Sequence, residues 1–197
     1  MKLYITRHGE TVENRAGILQ GHNEGRLSQT GIEQAEKLSE RLKEEKFDII
    51  YSSDLGRASK TAEIISRNHK ETSLIFSDLI RERNFGEFQG KTKKECGWDR
   101  NDPAALYPEP LHGESIEDVF LRAEEFYKYL LNKHKDDSVL VVGHGFIGKI
   151  LLAVIQDKQS SHVKAADSLK NTSLSIFEID SECQYEVIAL DSISHLE

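Results

Sequence analysis

Two histidines in this chain each stand beside glycine, directly after a run of apolar residues. His8 follows Arg7 and precedes Gly9, whereas His144 lies between two glycines much later in the chain. An unprotonated imidazole is a nucleophile, and the guanidinium of Arg7 is a permanent cation. Because ligands of open α/β sheets bind beyond the carboxyl ends of the strands, the two motifs indicate a shared site for an anionic ligand.

Two further apolar runs lead into residues that suit the same site. The run at 47–51 is followed by a segment that carries Arg57, and the run at 74–76 is followed by Glu82, which has an arginine close on either side. A carboxylate between arginines is by itself most often a surface ion pair. Here it follows a strand-like run, as Arg57 and the two histidines do. We therefore expect all four residues at one edge of a sheet.

The histidines and cysteines do not show the spacing of a metal site. Neither His8 nor His144 has a histidine or cysteine at ligand spacing, and zinc requires three or four ligands. Cys96 and Cys183 are interpreted as free thiols in a reducing compartment. We predict no metal and no cofactor. Most of the remaining histidines stand in polar stretches and are expected at the surface: His22, His69, His112, His134, His162 and His195.

The elements that must position these residues alternate between strand and helix patterns. The run at 139–142 is continuously apolar and mostly β-branched, which is typical of a central parallel strand. Thr30 and Glu33 suggest a capping box for one helix, and Ser115 a cap for another. The alternation predicts βαβ units in a three-layer α/β fold. The segments at 173–179 and 185–190 predict a hairpin that places one antiparallel strand at or near a sheet edge.

Composition and charge restrict the function classes. The 197 residues, 38% of them apolar, suit one domain over residues 1–197. The net charge of -8 disfavours nucleic acid and anionic membranes, so any phosphate site must be a local basic pocket. No apolar run approaches the ~18 residues of a membrane span, and the N-terminus lacks the apolar region of a signal peptide. We expect a cytoplasmic protein.

A long loop is predicted between the third strand and the following helix. All three prolines, Pro103, Pro108 and Pro110, fall between Trp98 and Gly113. Long loops in compact domains are often functional, so we expect a lid or insertion at about residues 91–114. The alternative is an ordinary surface connection.

These motifs, taken together and in this order, resemble the histidine phosphatase superfamily, also called phosphoglycerate mutase-like. The resemblance covers nearly the whole chain and implies a three-layer sandwich whose mostly parallel sheet has an antiparallel edge strand. The matching segments are Arg7-His8-Gly9-Glu10-Thr11 with Asn14, Leu19-Gln20-Gly21, Leu27-Ser28-Gln29-Thr30-Gly31, Ser52-Ser53-Asp54-Leu55-Gly56-Arg57-Ala58, Glu82 with Phe85-Gly86, Gly113-Glu114-Ser115 and Gly143-His144-Gly145.

The resemblance implies a role for each matching residue. His8 is expected to become phosphohistidine, Glu82 to be the general acid, and a small phosphorylated metabolite to be the substrate. The residues expected to hold the phosphoryl oxygens are Arg7, Arg57 and His144. Those expected to contact the substrate are Asn14, Gln20, Gly21 and Gly145. The chemistry agrees, because phosphoryl transfer spreads charge over three oxygens that guanidinium groups can bind. Neutral His8 needs a partner for its second ring nitrogen, and the Gly9 carbonyl is the expected one.

The sequence leaves three functions open. The short stretch between Glu82 and His144 resembles the phosphatase branch of the superfamily, which transfers the phosphoryl group to water. A cofactor-dependent phosphoglycerate mutase and a non-catalytic phosphate-binding module are the alternatives. Where many relatives have an aspartate and a proline, this chain has Glu24-Gly25-Arg26, so Arg26 either meets a second anionic group of the substrate or is an ordinary surface residue.

Overall fold

The computed structural model describes residues 1–98, 108–159 and 168–197. Its centre is a six-stranded sheet in which the strand order is β3-β2-β4-β1-β5-β6. The run that predicts a central strand is β4, which lies between β2 and β1 and pairs with both in parallel. The strands are β1 (Lys2–Arg7), β2 (Ile49–Ser53), β3 (Ser73–Ser77), β4 (Ser138–Gly143), β5 (Leu174–Ile179) and β6 (Tyr185–Ser192).

One strand runs against the others. β5 pairs antiparallel with β1 on one side and with β6 on the other, which confirms the predicted reversed strand near a sheet edge. Leu174, the first residue of β5, is the register partner of Thr6 near the end of β1. The start of β5 therefore lies at the edge of the sheet where the parallel strands β1 and β4 end.

Helices cover both faces of the sheet, as predicted. The alternation of side chains along β1 divides the core, because Tyr4 packs with α2 and α3, whereas Leu3 and Ile5 pack with α4 and α5. This arrangement is the expected three-layer α/β sandwich. The helices are α1 (Val12–Arg15), α2 (Gln29–Leu42), α3 (Gly56–Ser66), α4 (Ile116–Lys133) and α5 (Gly145–Ile155).

The helix starts agree with the sequence in one case and differ in another. Ser115 caps α4 in a capping box with Asp118. The predicted box of Thr30 and Glu33 is wrong, because α2 begins earlier, at Gln29, with Ser28 as its cap. Ser28 accepts from the backbone N–H of Gly31, which leaves Thr30 inside the first turn.

The structure corrects two further predictions, which concern the exposure of two histidines and the end of β2. His69 and His134 are buried rather than exposed, because His69 packs against Phe47 and His134 hydrogen-bonds the hydroxyl of Tyr51. β2 extends to Ser53 instead of ending at Tyr51, since pairing with β3 continues through Ser52 and Ser53.

The predicted lid is only partly described. Residues 99–107 lie outside the described residues, and the segments 91–98 and 108–114 contain turns and one isolated bridge, between Ile18 and Thr92. Among the described residues no helix is both long enough and apolar enough to span a bilayer.

Candidate active site

His8 lies directly after β1, with only 2% of its surface exposed. Its Nδ1 is 2.7 Å from the carbonyl oxygen of Gly9, the expected partner. Because a carbonyl oxygen only accepts, Nδ1 carries the proton and Nε2 keeps its lone pair. Gly9 itself has no room for a side chain, since a Cβ atom there would lie 2.2 Å from the carbonyl oxygen of Gly31. This packing fixes the turn that presents the imidazole.

The surroundings of His8 keep it neutral. Burial lowers the pKa of His8 well below 6.5, and the nearby charges of Arg7 and Arg57 lower it further. Both effects disfavour the imidazolium, because it would be poorly hydrated and repelled by two cations. At neutral pH the ring is therefore uncharged, with a proton on Nδ1 and a lone pair on Nε2.

Two guanidinium groups are held near His8 by backbone carbonyls. Arg7 donates from Nη1 to the carbonyl of Leu169 (2.7 Å), and Arg57 donates to the carbonyls of Gly21 (2.7 Å) and Asn23 (3.0 Å). Burial lowers the pKa of Arg57 to about 10, which still leaves it charged at neutral pH. In the described part of the chain neither arginine forms a salt bridge, so their charges are available to an anion.

His144 is a second neutral histidine, with its ring centroid 5.2 Å from that of His8. Burial is the main reason that its pKa lies well below 6.5, followed by the charge of Arg57. Its Nε2 is 2.8 Å from the hydroxyl of Ser53, which also accepts from the N–H of Leu55. When this hydroxyl donates to Nε2, Nδ1 carries the proton. The buried Nδ1 has no partner among the described residues and is thus a donor suited to an anion.

Glu82 caps the start of α5 with its carboxylate. The side chain accepts from the backbone N–H groups of Phe146 (3.0 Å) and Ile147 (3.1 Å), as well as from that of Arg83 (3.0 Å). The free N–H groups at a helix start are natural partners for a carboxylate. These contacts fix the carboxyl group at the site that the histidines share.

The loop that carries Glu82 is anchored by an ion pair. Arg122 on α4 contacts both carboxylate oxygens of Glu114 (2.9 and 3.0 Å) and also donates to the carbonyls of Leu79, Arg81 and Glu82. Glu114 in turn accepts from the backbone N–H of Asn84 at 2.7 Å. Glu114 belongs to one of the motifs in the sequence, whereas no motif includes Arg122.

A cavity of about 530 Å³ brings the predicted residues together. His144 does not line it, but lies buried beside His8. Arg26 is exposed and is not part of the cavity wall. Among the described residues, two arginines, two lysines and one carboxylate line this cavity in a chain of net charge -8, which matches the expected local basic pocket. The predicted residues that line it are Arg7, His8, Asn14, Gln20, Gly21, Arg57, Glu82 and Gly145.

The segment before β5 contributes a part of the site that the sequence patterns do not predict. Asn171 lines the cavity and donates from Nδ2 to the carbonyl of His8 (2.9 Å) and to Oδ1 of Asn14 (3.2 Å). The sequence patterns indicate residues at the carboxyl ends of parallel strands, whereas Asn171 precedes the reversed strand. The predicted hairpin is the signal that would have indicated it. Other unpredicted residues of the wall include Phe85, Lys93, Lys94, Trp98, Phe146 and Ser168.

Among the described residues no group of three or more histidine, cysteine, aspartate or glutamate side chains is placed to hold a metal ion. The groups that face an anion are guanidinium, imidazole and amide groups. Such groups are suited to the binding of oxyanions and to the transfer of protons.

A model of the histidine phosphatase superfamily (branch 1) matches residues 3–190. The chain belongs to this superfamily. A metal-independent phosphoserine phosphatase of Arabidopsis thaliana is 31% identical over 99% of this chain and 83% of its own length. A phosphoglycerate mutase of Schizosaccharomyces pombe is 37% identical over 79% of this chain and 78% of its own length.

Solved structures of this superfamily share the fold. A phosphoserine phosphatase from Entamoeba histolytica, solved in complex with 3-phosphoglyceric acid, superposes with a TM-score of 0.86. It is 27% identical, and the match covers 100% of this chain and 99% of that one. Histidine phosphatases similar to this chain thus include enzymes that act on phosphate esters.

Proposed function

We propose that this protein is a metal-independent phosphatase that hydrolyses phosphomonoesters through a covalent phosphohistidine on His8. The observation that carries the proposal is the state of His8, which is neutral and buried, with Nδ1 bound to the Gly9 carbonyl and with no hydrogen-bond partner for Nε2 among the described residues. Arg7, Arg57 and Glu82 line the same cavity. A nucleophile, charges for the phosphoryl oxygens and a carboxyl group are the groups that this chemistry requires.

The first half-reaction transfers the phosphoryl group to the enzyme. Arg7, Arg57 and His144 bind the phosphoryl oxygens, and Nε2 of His8 attacks phosphorus in line with the leaving oxygen. As the N–P bond forms and the P–O bond breaks, the carboxyl group of Glu82, which we propose as the general acid, donates a proton to the departing alkoxide. The product is an alcohol, and both the phosphoryl group and the charge it carries stay with the arginines.

The second half-reaction returns the enzyme to its starting state. Glu82, now a carboxylate, accepts a proton from a water molecule that attacks the phosphorus of phosphohistidine. The N–P bond breaks, inorganic phosphate leaves, and both His8 and protonated Glu82 are regenerated. Asn14, Gln20, Gly21 and Gly145 line the cavity and are proposed to contact the rest of the substrate.

A cofactor-dependent phosphoglycerate mutase is a second candidate. The similarity to a yeast mutase over 79% of the chain favours it, because a mutase needs the same phosphohistidine chemistry. The two enzymes differ in the second half-reaction, in which the mutase transfers the phosphoryl group to another hydroxyl group instead of to water. We favour the phosphatase because matches to two phosphoserine phosphatases cover 99% and 100% of this chain, whereas the match to the mutase covers 79% of it.

The test is phosphate release from a panel of phosphomonoesters, with chelator present. We expect release by wild type and by His69→Ala, and none by His8→Ala. His69 is a matched control, since it is also buried but does not line the cavity. Isomerisation of 3-phosphoglycerate in the presence of bisphosphoglycerate, without release of phosphate, would instead establish the mutase. Binding of phosphate without either reaction would indicate a non-catalytic module.

A further inference from the structure

We infer that Asn171 is a positioning residue for phosphoryl transfer, because it orients both the backbone of His8 and the side-chain amide of Asn14. The inference rests on the proposed function. Asn171 precedes β5, which runs antiparallel to β1, so this end of β5 reaches the edge of the sheet where His8 lies.

The segment around Asn171 is attached to the end of β1 at several points. The backbone N–H of Thr172 donates to the carbonyl of Arg7 at 3.1 Å, and the carbonyl of Leu169 accepts from the Arg7 guanidinium at 2.7 Å. Asn171 adds a contact to the next residue, His8. The segment is therefore held in register with the residues that carry the proposed chemistry.

The amide group of Asn171 has two hydrogens, and each has an acceptor. Nδ2 is 2.9 Å from the carbonyl oxygen of His8 and 3.2 Å from Oδ1 of Asn14. The backbone N–H of His8 is bound on its other side, to the carbonyl of Gly143 at 3.0 Å. With Nδ1 held by Gly9, these bonds fix both the main chain and the ring of His8, and hence the direction of the Nε2 lone pair.

The hydrogen bond from Asn171 determines which end of the Asn14 side-chain amide faces the cavity. Oδ1 of Asn14 accepts from Asn171 and also from the backbone N–H of Thr11 at 3.3 Å, so both of its lone pairs are used. Asn14 lines the cavity, and the group it has left to offer is its NH₂. An NH₂ group donates to a phosphoryl oxygen, whereas a flipped amide would present oxygen to an anion and repel it.

Kinetics of four variants separate positioning from a purely structural role. We expect Asn171→Ala to lower kcat by about 10- to 100-fold, the effect of a small misplacement of reacting groups. Asn68→Ala is the matched control, because Nδ2 of Asn68 also makes two hydrogen bonds, both to Ser39 (3.1 and 3.3 Å), far from the cavity. It should lose stability but keep kcat. The remaining variants are Asn14→Ala and the double variant Asn14→Ala/Asn171→Ala.

The double variant tests whether Asn171 acts through Asn14. Residues that act on one another give non-additive effects, so the double variant should lose clearly less than the product of the two single losses. Asn171→Ser, which keeps one donor hydrogen and can bind only one of the two acceptors, should fall between wild type and Asn171→Ala. It also provides a second variant if the alanine variant does not fold.

Titration with orthovanadate provides a measurement that does not depend on turnover. We expect Asn171→Ala to bind vanadate about tenfold more weakly than wild type and Asn68→Ala do, because the NH₂ group of Asn14 is then no longer held in the orientation that donates to the anion.

If wild type binds vanadate but hydrolyses no ester, the proposed function is wrong, and the vanadate comparison still decides the role of Asn171. Multiplicative losses in the double variant, or unchanged kcat and vanadate affinity in Asn171→Ala, would overturn the inference while leaving the phosphatase intact. A wild type that neither binds vanadate nor hydrolyses esters would overturn both.

Discussion

The buried position of His8 sets the pH range in which its ring is neutral. Removal from water and the charges of Arg7 and Arg57 hold its pKa well below 6.5, and burial does the same for His144. The unfolded chain, by contrast, exposes both rings to water, where their pKa is ordinary. Both histidines therefore link protonation to the stability of the fold as well as to catalysis.

We predict that the free energy of unfolding decreases as the pH falls below about 6.5, the ordinary pKa of histidine. In that range the unfolded state binds more protons than the folded state, so protonation favours unfolding. Each buried ring contributes up to about 1.4 kcal/mol per pH unit until its lowered folded-state pKa is reached. Urea unfolding at about pH 7 and about pH 5.5 measures the slope.

The matched variants for this measurement are His8→Gln and His112→Gln. His8→Gln removes one buried titrating ring and should weaken the dependence of the free energy of unfolding on pH. His112→Gln replaces an exposed histidine and serves as the control. An identical slope in wild type and His8→Gln would contradict the linkage.

Single residues of the site differ in how far the sequence predicts them. His8 and His144 stand beside glycines after apolar runs, which is a local pattern that can be recognised without a structure. Asn171 has no such pattern, because an asparagine before a strand is ordinary turn chemistry. Its place in the site depends on the direction of β5 and on a contact with a residue more than 160 positions away.

The loop between β3 and α4 depends on Arg122 for its position. Arg122 makes a two-pronged ion pair with Glu114 and binds three carbonyls of the loop, including that of Glu82. Both side chains are largely covered, at 15% and 21% exposure, so the pair is less screened than a surface pair. Loss of the guanidinium would leave the carboxylate of Glu114 and three carbonyls without this donor.

We predict that Arg122→Met lowers the free energy of unfolding by about 1.5–3 kcal/mol, the range for hydrogen bonds to charged groups, and also lowers kcat. Lys128→Met is the matched control on the same helix, since its ion pair with Glu124 is exposed and should contribute less than about 1 kcal/mol. Denaturant unfolding and steady-state kinetics of both variants test this. Equal stability of the two variants would show that the Arg122 pair does not anchor the loop.

The elements themselves are well predicted where one physical rule dominates. The apolar run of β4 requires cover on both faces, and the structure places that strand in the centre of the sheet. The start of α2 is less predictable, because Ser28 and Thr30 are both good caps, and only the structure shows that Ser28 accepts from the N–H of Gly31, which packs against the backbone of Glu10. Residues 99–107 of the predicted lid lie outside the described residues.

The chain as a whole is acidic, although its proposed substrate is an anion. The net charge is -8, yet Arg7 and Arg57 stand at the cavity with their charges unpaired within the described residues. Both guanidinium groups donate to backbone carbonyls, which orient the groups without neutralising their charge. Sequence composition shows the contrast, but only the fold shows how the charges are kept available.

The central claim is that the phosphoryl group passes through His8, and rapid quenching of a substrate reaction tests it most directly. Proteolysis and mass spectrometry of the quenched wild-type protein should find a phosphate that is labile in acid and stable in alkali, located on His8. The same protocol should find no phosphate in His8→Ala and should find it on His8 in His69→Ala. Phosphate on another residue, or a label that persists in His8→Ala, would contradict the account.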